Sequence, residues 1–201
     1  MKYIAVEREY GSGGTEIARR LAEKCNIACY GSEILDAVAK DKGVSVERIQ
    51  HCEETVSNSF LYTVYAIGQM NTGNGDMLTE EGKLFVAEQE FIRRSAHKGS
   101  AVYLGHCASE ALSGLDVVKV YIRCSDKDAK TKRIKEQYGI ADSQIESTRK
   151  RFDNKRSKYY YANTAKKWSD LTNYDIVLDS AALGIDGCVD VLAGLLPAAN
   201  G

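Results

Sequence analysis

Ile4-Ala5-Val6-Glu7-Arg8-Glu9-Tyr10-Gly11-Ser12-Gly13-Gly14-Thr15-Glu16-Ile17-Ala18 reads as a short apolar strand, a glycine-rich turn and the opening of an amphipathic helix. That layout is one of a phosphate-binding loop. Successive backbone N–H groups and the positive end of the helix converge on an anion, and glycines let the backbone approach it with no Cβ in the way. Against the spacing G-x-x-x-x-G-K-[ST], Arg8 stands at the first Gly, Gly13 at the second, Gly14 at the Lys and Thr15 at the last position. The lysine that reaches the β- and γ-phosphates is therefore missing. Glycine clusters between a strand and a helix also arise for purely steric reasons. Here the cluster follows the first strand and precedes Ile17, Ala18, Leu21 and Ala22, an apolar stripe at helical spacing. Arg8 has two readings: a second cationic solution, with a planar fork suited to phosphate oxygens, or a solvated loop arginine.

Working outward, a length of 201 residues suits one domain with a sizeable core and room for an inserted mobile subdomain. With 27 Lys and Arg against 28 Asp and Glu, the formal charge is −1, so nothing global favours nucleic acid or a membrane surface. Any phosphate binding must be local. No apolar run approaches the roughly 20 residues that span a bilayer, and the N-terminus opens on a strand instead of a signal peptide; the expectation is a cytoplasmic protein. The cysteines Cys25, Cys29, Cys52, Cys107, Cys124 and Cys188 form no CxxC pair and read as small core residues in a reducing compartment. Composition leaves the oligomeric state open.

Periodicity predicts a strand over 3–7, a helix over 15–25, a short strand near 27–30 and a helix with Ser32 as N-cap and Glu33 in its first turn. Residues 45–95 read mostly helical, with a start at Val44–Glu47, a flexible loop at Asn71–Asp76, and Phe85, Gln89, Ile92 and Ala96 at helical spacing. Near-continuous apolar strands follow over 101–105, 117–122 and 175–179, with a helix around 107–113. Five such strands separated by helices predict a parallel α/β sheet with right-handed crossovers. Residues 125–168 hold 13 of the 27 Lys and Arg. They read either as a solvated helical hairpin or as an arginine-bearing lid that closes over a polyphosphate. Tyr159, Tyr160 and Tyr161 are expected to pack its hinge. His51 and His97 lie in charged helical surroundings and read as surface residues. Glu7 orients Arg8 or is a strand-end carboxylate without chemistry, and Asp179 is either a functional group at a strand end or a cap.

The opening segment, Val102-Tyr103-Leu104-Gly105-His106, the stretch from Tyr121 to Lys135, the run Arg149-Lys150-Arg151-Phe152-Asp153-Asn154-Lys155-Arg156 and the closing Tyr174–Ser180 strand together resemble the cytidylate kinase-like family. These are relatives of bacterial cytidylate kinases among the P-loop nucleoside monophosphate kinases. The resemblance covers nearly the full length. It implies a P-loop NTPase fold, a three-layer α/β/α arrangement with a five-stranded parallel sheet in the order 2-3-1-4-5 and a helical lid insertion. Residues 1–201 would be one domain, containing a helical acceptor-side region at 31–98 and the basic lid at 125–168. The implied activity is transfer of the γ-phosphoryl group of ATP, with Mg²⁺, to a nucleoside monophosphate, CMP foremost.

By the same resemblance, Gly11, Ser12, Gly13, Gly14 and Thr15 would cradle the donor phosphates, and the Thr15 hydroxyl would serve the Mg²⁺ shell. Arg133 would be a lid arginine, while Asp153 and Arg156 match a D-x-x-R that contacts the acceptor nucleotide, with Arg149 a further arginine of that run. Tyr30 and His106 fall at acceptor-binding positions. Three departures stand out. Gly14 replaces the lysine, which leaves Arg8 to substitute for it. His106 stands where a G-R pair supplies an arginine, and Gly31-Ser32 stands where relatives carry Asp after the tyrosine. These departures keep two further functions open: a regulatory nucleotide-binding protein without catalysis, and a kinase of a small non-nucleotide acceptor.

Overall fold

A computed structural model of the chain describes residues 1–43, 45 and 80–196. The expected helix start at Val44–Glu47, the loop at Asn71–Asp76, His51 and Cys52 lie, wholly or nearly so, outside the described residues. The elements are β1 (Tyr3–Arg8), α1 (Gly14–Lys24), β2 (Ala28–Tyr30), α2 (Ser32–Lys42), α3 (Glu80–Ala96), β3 (Ala101–Leu104), α4 (Ala108–Ala111), β4 (Val117–Arg123), α5 (Lys127–Tyr138), α6 (Asp142–Thr164), a 3-10 turn at Leu171–Asn173, β5 (Ile176–Asp179) and α7 (Ser180–Ala193). All strand pairs are parallel, and the order is β2-β3-β1-β4-β5, the expected 2-3-1-4-5 arrangement.

The central strand explains the layering. Successive β1 side chains point to opposite faces, so Ile4 and Val6 join Val102, Leu104, Val120 and Ile122 on one face. Against them α1 lays the predicted stripe Ile17, Ala18, Leu21 and Ala22, and α7 lays Cys188, Val189 and Leu192. Tyr3 and Ala5 point the other way and meet Ala101, Tyr103, Ile34 of α2 and Ile92 of α3. Two helical layers thus enclose a sheet whose middle strands are apolar on both faces, the condition under which parallel strands are stable. No helix among the described residues is long and apolar enough to cross a membrane.

Local chemistry differs from expectation at the start of α2. Gly31 is the N-cap, and Ser32 is already helical with no side-chain cap bond. Glu33 Oε2 folds back to accept the Gly31 N–H at 2.8 Å, which satisfies the donor of the N-cap residue itself and not one in the first turn of the helix. Asp179 proves to be a cap: its Oδ1 accepts from Ala181 N and Ser125 N at the head of α7. Cys107, Cys124 and Cys188 are buried, while Cys25 and Cys29 are half-buried.

The core holds several phenols that bear on pH stability. Burial pushes the Tyr103 hydroxyl up to about 12, with the Ser95 hydrogen bond opposing. Burial likewise raises Tyr121, Tyr160 and Tyr174. A phenol whose folded pKa exceeds its unfolded value leaves stability intact below about pH 10 and erodes it as pH climbs through the folded value. Thermal melts are expected to hold steady up to about pH 10 and then fall steeply towards pH 12, by about 1.4 kcal/mol per pH unit for each such tyrosine. An unchanged Tm across that window would refute the assignment.

Candidate functional site

The glycine loop leaves the carboxyl end of β1, the central strand, where open α/β sheets place their ligands. Its shape needs two left-handed residues, Gly11 at φ 78° and Gly13 at φ 80°, the second being the N-cap of α1. Ser12, between them, is fully buried and committed inside the protein. Its N–H donates to Glu9 O (3.2 Å), its Oγ accepts from Gly14 N (3.3 Å), and its carbonyl accepts from Ser180 Oγ (2.6 Å). The loop is therefore held from below, with Thr15 in the first turn of α1.

The space around the glycines is filled by long side chains. A Cβ placed on Gly14 would lie 2.5 Å from Arg8 Cβ, 2.9 Å from Arg8 Cγ and 3.3 Å from Ile122 Cβ. A Cβ on Gly105 would lie 2.6 Å from Arg8 Nη1. The Arg8 stem thus crosses the loop over Gly14, and its guanidinium reaches the end of β3. Arg133, from α5, donates from Nη1 to Gly11 O at 2.6 Å, and its Nε would lie 3.3 Å from a Cβ on Gly13. Lys130, on the same helix, is not a stand-in for the absent lysine. It is buried and spent on Glu9 Oε2 at 2.8 Å, an oxygen that also accepts from Cys124 N.

Beside the loop lies a cavity of about 250 Å³ whose walls include Arg8, Gly105 and His106 together with Lys155, Arg156 and Tyr159 of α6. Arg156 Nη1 donates to Arg8 O at 3.1 Å, which ties the cavity wall to the loop strand. Asp153, one turn earlier on α6, stands behind this wall. Its Oδ1 accepts from Tyr10 N at 2.7 Å and lies 3.7 Å from Arg156 Nη1. Burial raises its carboxyl, against the lowering effects of the Tyr10 N–H and the Arg156 charge. Arg149 forms a two-bond pair with Glu146 (3.1 and 2.8 Å) and reaches Asp153 Oδ2 at 3.5 Å. That pair holds the Glu146 carboxyl down to about 2.

Of the expected site residues, the structure brings Arg8, Gly11, Ser12, Gly13, Gly14, Thr15 and Arg133 together at the loop, and Arg156 and His106 in the cavity wall. Asp153 and Arg149 sit behind Arg156. Tyr30 packs instead among aromatic rings, stacked on Tyr103 at 5.3 Å and edge-on to Phe91 at 5.7 Å. Tyr160 packs as expected, whereas Tyr159 also turns its hydroxyl onto Glu88 Oε2 at 2.5 Å. Glu7 accepts from Trp168 Nε1 at 3.0 Å and lines the cavity.

Glu88 is the residue that sequence reasoning overlooked. It is completely buried, and its Oε2 lies 3.1 Å from His106 Nδ1. A signal was present: Glu88 falls three residues after Phe85 and four before Ile92, so a carboxylate sits on the apolar face of α3.

Among solved structures, an uncharacterized protein from Eubacterium ventriosum is similar at 29% identity and a TM-score of 0.72, over 97% of this chain and 98% of that one. A shikimate kinase from Bacteroides thetaiotaomicron (14% identity, TM-score 0.51, 96% and 97% covered) shares the fold. So does a sugar kinase from Janibacter (15%, 0.51, 96% and 93%). No curated protein matches. A model of the cytidylate kinase-like family matches residues 3–182, which takes in the loop, the cavity wall and both helices over them, and the chain belongs to that family.

Proposed function

We propose that this chain transfers the γ-phosphoryl group of ATP to a nucleoside monophosphate, with CMP the foremost acceptor. The observation that carries the reading is the path of Arg8, whose stem fills the room over Gly14 while its guanidinium lies at Gly105 in the wall of the cavity. One fixed cation so placed lies between a donor site at the loop and an acceptor site in the cavity. Phosphoryl transfer asks for little else than alignment, exclusion of water and charge placed where negative charge develops.

The residues present suit the ligands. Gly11 and Gly13 supply the left-handed turns of the loop, with Ile134, Lys130 and Ile185 packed where a Cβ would project, and the N-terminus of α1 adds its dipole. Arg133 reaches over this nest from α5, and residues 125–168 would serve as the lid that excludes water. Among the described residues no cluster of three His, Cys, Asp or Glu could hold a metal by side chains alone. Mg²⁺ when bound would be carried chiefly by phosphate oxygens, with the Thr15 hydroxyl in its shell, and would neutralise their charge. Arg156 and Lys155 would hold the acceptor's phosphate, with Asp153 and Arg149 fixing Arg156 from behind. Residues 31–98 would form the remaining acceptor side.

The test is ADP release from ATP and Mg²⁺ with each nucleoside monophosphate in turn. Turnover stimulated by CMP in the parent, and reduced about 10²-fold or more in Arg156→Ala, is the expected result. Nucleotide binding without stimulated turnover by any of them would overturn it, in favour of a regulatory protein or a non-nucleotide acceptor.

A further inference from the structure

Behind the wall of the acceptor cavity, against His106 and Tyr159, lies a buried acid that the reading above does not use. Glu88 has no exposed surface, and its Oε1 has no hydrogen-bond partner among the described residues. Its Oε2 accepts from the Tyr159 hydroxyl at 2.5 Å and sits 3.1 Å from His106 Nδ1. Carboxylates are tolerated in such places only when paired and hydrogen-bonded. Tyr159 is a neutral donor; His106 is the partner able to carry a positive charge. The histidine is held on its backbone side as well, at φ 57° with its carbonyl accepting from Gln89 Nε2 at 2.8 Å. Two adjacent residues of α3, Glu88 and Gln89, thus grip one ring and its peptide.

We propose that Glu88 is a positioning residue that keeps the His106 ring protonated in the cavity wall, so that this chain holds its acceptor's anionic group through a contact that weakens as pH rises. The proposal rests on the cavity being the acceptor site. Among the described residues, charged and titratable groups face His106 from three elements around it. Glu88 comes from α3, Tyr159, Lys155 and Arg156 from α6, and Glu7 and Arg8 from β1, with Cys107 next in the chain. Glu88 and Glu7 favour the imidazolium, whereas Lys155, Arg156 and Arg8 oppose it. An anion entering the cavity offsets those three cations, which draws a proton onto His106. Binding and protonation are therefore linked, and an arginine at this position would show no such linkage.

The test follows the His106 ring by NMR through a pH titration, with its signal assigned from His106→Gln. Parent and Glu88→Gln are compared alone, with CMP and with inorganic phosphate. The expected midpoint is about one pH unit higher in the parent than in Glu88→Gln, and each anion raises it further. CMP affinity in the parent should also fall between pH 6.5 and 8.5, where a phosphate monoester is already mostly dianionic. In His106→Arg it should stay level over that range. This second comparison leaves Glu88 intact and tests the pH-dependent His106 contact even if Glu88→Gln fails to fold. Equal midpoints in parent and Glu88→Gln, a His106 signal unmoved by both anions, or a CMP affinity independent of pH in the parent would each overturn the proposal. If phosphate raises the midpoint while CMP binds nowhere, the nucleotide reading fails and the Glu88–His106 linkage stands.

Discussion

Arg8→Ala is expected to lower acceptor-stimulated ADP release by about 10³-fold, the scale at which a single guanidinium acts on a transferring phosphoryl group. Two features of the loop lead to this number. Position 14 has no side chain to reach the donor phosphates, and the Arg8 stem occupies the space such a side chain would need. Lys130, the nearby lysine on α5, is held by Glu9. Arg8→Lys separates charge from shape: it keeps the stem over Gly14 but loses the fork that reaches Gly105, so it should recover only part of the rate. The variant proteins should melt near the parent, because Arg8 lies at the strand end beyond the continuous apolar run of Tyr3–Val6. An Arg8→Ala protein that binds ATP analogues as tightly as the parent and turns over at the same rate would remove Arg8 from the mechanism.

The second large effect runs against intuition. Gly14→Lys, which restores the missing lysine, should reduce activity and stability together. Its Cβ would fall 2.5 Å from Arg8 Cβ and 3.3 Å from Ile122 Cβ, and neither atom is the free end of a flexible chain. Overpacking of this kind typically costs about 1–3 kcal/mol. The backbone must also shift where the loop joins α1, so the amides lose their aim at the donor phosphates. Gly14→Lys in an Arg8→Gly background removes the two Arg8 contacts, leaving that with Ile122 Cβ at 3.3 Å, and should recover part of the stability lost in the single variant. Denaturant melts of the three proteins check this; a single variant as stable as the parent would show that Gly14 and Arg8 are not coupled.

The course of the polypeptide was largely legible because its signals are local and repeated. Four buried residues in a row in β1 and a stripe at helical spacing in α1 can each be read within a dozen positions. The loop was legible as well, since glycines with φ near 80° leave a mark in composition. What escaped were side chains whose roles depend on partners far along the chain. Tyr30 shares its stretch with the other acceptor-side residues, yet Tyr103 and Phe91 draw its ring into an aromatic cluster that no spacing reveals. Glu88 and His106 lie 18 residues apart on different elements, and only the packing of α3 beside the end of β3 brings them together. Ser32 is not the cap of α2 because the helix starts one residue earlier, with Gly31 at the N-cap.

The bond from Ser180 Oγ to the carbonyl of Ser12 spans 168 positions of sequence. During synthesis the loop emerges well before its clamp, which is supplied by a residue translated 168 positions later. The neighbours of β1 in the sheet arrive late too, since β3 begins at Ala101 and β4 at Val117. A ribosome-bound chain that stops short of Ser180 therefore carries the glycine loop without this clamp. Contacts of such long range also make for slow folding. Nascent fragments that end before β5 are then expected to leave an edge of β4 unpaired and apolar surface uncovered, the condition that favours aggregation.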